Sequence, residues 1–146
     1  MMEVFILLII YQVKHLVADY PLQNRYMLGK FKSSGWVLPL STHCLVHAVF
    51  TLVITYVYIC SGPITEDRVY LIWQLPLLDF TLHFIMDRVK ASPSLLGRFK
   101  ALSKDQMLAG PSKKALRSNT LFWYSLGLDQ MVHHLTHYLI IYILVT

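Results

Sequence analysis

The sequence predicts an all-α integral membrane protein: a bundle of four transmembrane helices with a short amphipathic interfacial helix between helices 3 and 4. Three observations carry this. Of 146 residues, 55% are hydrophobic and only 14% charged, against about 25% charged in an ordinary soluble domain. Mean hydropathy is +0.50. Four apolar stretches, each near the roughly 20 residues that a bilayer-spanning helix needs, are separated by proline and glycine turns. We read residues 1–146 as one transmembrane helical domain.

The first span is expected over residues 2–19. Glu3 stands where a signal peptide would carry its basic segment, and no small-residue cleavage pattern follows, so this stretch reads as a retained span. Pro39 marks the end of a basic connection over 20–40, and Ser41 or Thr42 is expected to cap a second span over 41–60. Ser61-Gly62-Pro63 turns the chain into a third span over 69–91. Ser92 followed by Pro93 is expected to open a short helix. Between Ser94 and Leu108, Leu95, Leu96, Phe99, Leu102 and Met107 alternate with Arg98, Lys100 and Lys104, a pattern suited to the surface of an anionic leaflet. Gly110-Pro111 closes that segment within the connection 92–120. Asn119 or Thr120 is expected to cap the fourth span, 121–146.

Charge sets the orientation, because Lys and Arg collect on the cytoplasmic side. Twelve of the thirteen basic residues belong to the first and third connections, and only Arg68, beside Glu66 and Asp67, belongs to the second. The expectation is a multi-pass protein of the inner membrane with both termini outside and both basic loops cytoplasmic, in contact with anionic inner-leaflet lipids. The net charge of +5 follows no nucleic-acid motif, so no nucleic-acid partner is expected. Trp36, Trp73, Trp123 and Tyr124 read as interface anchors. Cys44 and Cys60 would lie about 24 Å apart on one helix, too far to bridge, and read as small buried residues.

Ionisable groups inside a span are costly and therefore mark sites. Here they recur four residues apart, which places each set on one helix face. His15 and Asp19 close the first span; His43 and His47 open the second. Asp79, His83 and Asp87 stripe the third, and Asp129, His133 and His137 the fourth. Alternating helix directions bring these stripes to overlapping heights near the cytoplasmic face.

Imidazole nitrogens and carboxylate oxygens are ligands for Zn, Mn or Fe, and helix bundles build metal sites from facing side chains. The expected ligands of one or two divalent ions are His15, Asp19, His43, His47, His83, Asp87, Asp129 and His133. Asp79 and Asp129 are the catalytic candidates, Asp79 as a general base two turns deeper than Asp87. His134 points off the stripe, and His137 is deeper by a turn; neither is counted as a ligand. Gln23, Gln130, Thr136 and Tyr20 are expected to orient ligands by hydrogen bonds.

The motifs His15-x-x-x-Asp19-Tyr20-Pro21-Leu22-Gln23 with Lys30 downstream, His43-x-x-x-His47, His83-x-x-x-Asp87 and Leu128-Asp129-Gln130-x-x-His133 resemble, over nearly the whole chain, domain-of-unknown-function family 3307, small membrane proteins of bacteria and phages. Tyr20 stands where that family tends to have Phe. The resemblance strengthens the site and names no substrate.

Three functions fit these residues. The first is a metal-dependent hydrolase acting on a lipid-linked or cytoplasmic small substrate. The second is a proton- or cation-coupled transporter or channel subunit, which with four helices would require a homo-oligomer. The third is a non-enzymatic membrane interaction protein, phage-encoded for example, in which the polar stripes pair across an interface.

Overall fold

A computed structural model describes residues 2–63, 65–92, 95 and 118–146. Four long helices make up the described chain: α1 Met2–Asp19, α2 Val37–Cys60, α3 Glu66–Ala91 and α4 Thr120–Val145, with a 3-10 helix, Met27–Phe31, between α1 and α2. Among the described residues there is no strand. The expected interfacial helix over 94–108 lies outside the described residues except for Leu95, which is exposed.

α1 contacts α2 and α4, and α3 contacts α2 and α4, so the four close into a ring. The 3-10 helix packs on α2 and α3. Successive helices alternate in direction. One half of the interior is apolar: Leu7 of α1, Ile59 of α2, Leu75 of α3 and Ile140, Ile141 and Leu144 of α4 form its core, with Tyr11 at its edge. The other half is polar and contains the site.

Helix ends differ from expectation at two places. α2 begins at Val37, four residues early, so Pro39 lies inside its first turn. A proline is tolerated there, because the first N–H groups of a helix have no partner within it. No side chain caps this helix, and the Thr42 hydroxyl instead donates to the Leu38 carbonyl at 2.8 Å. α3 begins at Glu66 rather than at residue 69, with Glu66 and Asp67 in its first turn, where acidic side chains complement the helix dipole. The α4 cap is Asn119, whose side chain accepts from the Phe122 N–H at 3.1 Å. Ser92 ends α3, and its hydroxyl accepts from the Leu95 N–H at 3.3 Å.

Among the described residues two helices, α2 and α3, are long and apolar enough to cross a membrane, where four were expected. α1 contains Glu3, Lys14 and Asp19, and α4 contains Asp129, Gln130 and three histidines. Cys44 is buried as expected, whereas Cys60 is exposed at the end of α2. Trp73, Trp123 and Tyr124 are exposed. Trp36 lies under the Arg88 guanidinium, 3.6 Å from its ring centroid, a cation–π contact that ties the start of α2 to the end of α3.

Candidate metal centre

Each helix points one polar stripe inward. α1 buries Tyr11, Lys14 and His15; α2 buries His43, His47, Thr51 and Thr55; α3 buries Asp79, His83 and Asp87; α4 buries Asp129, His133, Thr136 and His137. His47, Asp79, His83 and His137 have no accessible surface, and Asp19 is half-buried at the edge of the cluster. Every predicted ligand therefore meets the others in one interior.

Four carboxylates organise this interior. Asp19 is approached by three imidazoles: His47 Nε2 at 3.0 Å, His15 Nε2 at 3.2 Å and His43 Nε2 at 3.4 Å. Asp87 accepts from Lys30 Nζ at 2.6 Å and lies 3.2 Å from His43 Nε2 and 3.5 Å from His133 Nε2. His43 thus stands between Asp19 and Asp87. Asp129 accepts from Lys90 Nζ at 2.5 Å and from Gln130 Nε2 at 3.3 Å, with His133 Nε2 at 3.4 Å. Asp79, the deepest, accepts from Lys14 Nζ and from the Thr51 hydroxyl, each at 2.6 Å. His83 Nδ1 lies 3.0 Å from Asp79 Oδ1 and 3.1 Å from its carbonyl oxygen, which turns Nε2 toward the other imidazoles.

Three lysines that reach the site, Lys14 and Lys30 buried and Lys90 partly exposed, were not foreseen. Lys14, Lys30 and Lys90 read as topology charges in the sequence, yet each reaches a site carboxylate. Thr51 was missed too, although it continues the His43, His47 spacing by one more turn. Of the expected orienting side chains, Gln130 reaches Asp129, Thr136 bonds the Val132 carbonyl of its own helix, and Tyr20 is 69% exposed. His134 borders the site, its ring centroid 5.7 Å from that of His15 and its Nδ1 3.2 Å from Gln12 Nε2, and it belongs to none of the ligand clusters below.

Among the described residues three groups of side chains bring ligand atoms within 4.8 Å of one another: His15, Asp19 and His47; His15, His83 and His137; and Asp87, Asp129 and His133. Several His/Asp clusters of this bundle could therefore hold a metal ion. His137, set aside on sequence, belongs to one of them, and His43 to none of the three. Ligand atoms around a tetrahedral ion with bonds of about 2.0–2.1 Å lie about 3.3 Å apart, and the centroids of two ligating imidazoles about 5.2 Å apart. In the Asp19 group His47 Nε2 lies 3.0 Å from Oδ1 and His15 Nε2 3.2 Å from Oδ2, and the His15–His47 centroid distance of 5.5 Å is close to the second measure. The second group has centroid distances of 5.3 to 5.9 Å, and both ring nitrogens of His15, Nε2 of His83 and Nδ1 of His137 are buried without a hydrogen-bond partner. Lys14 Nζ, however, lies 3.4 Å from His137 Nε2, which sets an ammonium beside any cation held there. His47 and His83 at 4.0 Å, and His83 and His133 at 4.2 Å, face each other ring to ring rather than a common point.

A helical bundle whose interior is histidine, aspartate and lysine over one half and aliphatic over the other defines the class: an α-helical protein built around a buried polar site. Within it, the chain belongs to the family described as "Protein of unknown function (DUF3307)", whose model matches residues 4–146, in agreement with the resemblance of the four motifs. No curated protein and no solved structure matches the chain.

Proposed function

We propose that this chain is a four-span membrane protein that holds a divalent ion through His15, Asp19 and His47, with His43 in reach, and that it acts as a metal-dependent hydrolase open at its cytoplasmic end. The observation that carries the metal is charge. Lys14, Lys30 and Lys90 neutralise Asp79, Asp87 and Asp129, so among the described residues Asp19 alone of the four carboxylates pairs with no lysine and is surrounded by imidazoles.

All four helices crossing the bilayer is supported by an inverted pattern of burial. α1 buries Lys14 and His15 while exposing Phe5, Ile6, Ile9, Val13 and Leu16; α4 buries Asp129, His133 and His137 while exposing Leu128, Met131, Leu135 and Leu139. A helix with its apolar side outward has lipid as its natural solvent.

A polar column that stops inside the bundle favours an enzyme over a transmembrane path. The polar column runs from Lys90 and Asp129 down to Asp79 and Tyr11, and there the aliphatic cluster around Leu7, Ile59, Leu75 and Ile140 fills the interior. A bound divalent ion supplies Lewis-acid polarisation of a carbonyl or phosphoryl oxygen. The residues of the chain would divide the rest. Asp79 fixes the ring of His83, and Lys14 and Thr51 fix Asp79. Asp129, beside the partly exposed Lys90, is the proton acceptor at the end of the column away from the aliphatic cluster. The substrate class is an ester or phosphoester presented at the inner leaflet, whose anionic lipids meet the basic connections.

Elemental analysis of detergent-purified protein tests this. One divalent ion per chain is expected, lost in Asp19→Ala and His47→Ala with helical content unchanged, together with chelator-sensitive cleavage of ester or phosphoester lipids. A folded, metal-free parent would overturn the metal site; a metal-loaded parent inert on all such lipids would overturn the hydrolase.

A further inference from the structure

The cluster Asp87, Asp129 and His133 has the donor set of a second metal site, with ligand atoms that, like those around Asp19, all lie within 4.8 Å of one another. What distinguishes it is its company. Lys30 Nζ lies 2.6 Å from Asp87 Oδ2 and Lys90 Nζ 2.5 Å from Asp129 Oδ2. One ammonium is held from the 3-10 helix and the other from α3, so the two arrive from different elements on two different carboxylates. The Lys30 side chain is 6% exposed and the Lys90 side chain 30%. In so little water, an ion seated among Asp87, Asp129 and His133 would face two neighbouring ammoniums with weak screening.

We infer that Lys30 and Lys90 are built-in counter-cations that close a latent second divalent-metal site at Asp87, Asp129 and His133, and so hold the protein to one ion. This rests on the metal reading only for the ion at Asp19. Among the described residues three of the four carboxylates pair with a lysine and Asp19 does not, so with neutral imidazoles one negative charge is left, on Asp19. Removing two ammoniums raises that to three, enough to hold a second divalent ion. His43, between Asp19 and Asp87, would then lie between the two ions.

The test is metal stoichiometry by elemental analysis after equilibration with manganese or zinc and dialysis, on the full chain in detergent. The parent is expected to retain one ion per chain. Lys30→Met with Lys90→Met is expected to retain two, and adding Asp87→Asn should return the count to one. Lys90→Met alone changes the most exposed of the three lysines; it is expected to take up a second ion at a manganese concentration at which the parent takes none, and it decides the matter if the double variant does not fold. Two ions in the parent would overturn the inference. So would an unchanged count in a helical Lys90→Met protein. A parent with no ion and a double variant with one would remove the Asp19 site and leave the latent site standing.

Discussion

Asp79 accepts from two donors on two other helices, Lys14 Nζ on α1 and the Thr51 hydroxyl on α2, each at 2.6 Å, and its side chain has no accessible surface. Breaking a buried ion pair by removing one partner leaves a bare charge and costs about 3–5 kcal/mol, whereas replacing both partners by apolar groups is often neutral. Asp79→Leu and Lys14→Met are each expected to lose stability on that scale, and the double variant to recover most of it. Unfolding followed by circular dichroism in detergent measures the cycle, and additive losses would show that the two side chains do not depend on each other. The same logic explains which residues were legible. His15, Asp19, His43, His47, Asp79, His83, Asp87, Asp129 and His133 announce themselves by spacing along their own helices. The lysines do not, because each one's partner is remote: Lys14 and Asp79 are 65 residues apart, Lys30 and Asp87 57, and Lys90 and Asp129 39. A buried lysine and a loop lysine look alike until the chain is folded.

At the scale of elements, α1 and α4 fall within a residue of their expected bounds because apolar periodicity and a real cap, Asn119, define them. α2 does not, because a proline marks a break in a helix interior but is neutral in a first turn. That early start has a structural use. A Cβ on Gly29 would lie 2.9 Å from Pro39 Cγ and 3.2 Å from its Cβ, so the 3-10 helix can seat against α2 only with glycine there. The next residue is Lys30, whose reach to Asp87 depends on that seat. Gly29→Ala is therefore expected to destabilise the protein by about 1–3 kcal/mol through overpacking. Pro39→Ala removes the closer atom and should return part of the loss. A Gly29→Ala protein as stable as the parent would mean that the 3-10 helix is not held against α2.

For the molecule as a whole, hydropathy averaged around a helix hides an apolar outer face when the inner face is polar. That is the case for α1 and α4, which bury charged and imidazole side chains and turn leucine, isoleucine and phenylalanine outward. If all four cross, the two connections at the polar end face the cytoplasm, and the Ser61-Gly62-Pro63 turn faces outside. Two positions on opposite ends of α2 read this out. Cys60 is exposed at its end, and Ser33 is exposed just before its start. In intact cells, a membrane-impermeant maleimide should label Cys60 of the parent chain, whereas Cys44 is buried and silent. In a Cys60→Ser background, Ser33→Cys should label only after permeabilisation. The reverse pattern would invert the protein and place the His/Asp site at the outer face. Labelling of both positions from outside would mean that α2 does not cross, and with it the four-span arrangement would fall.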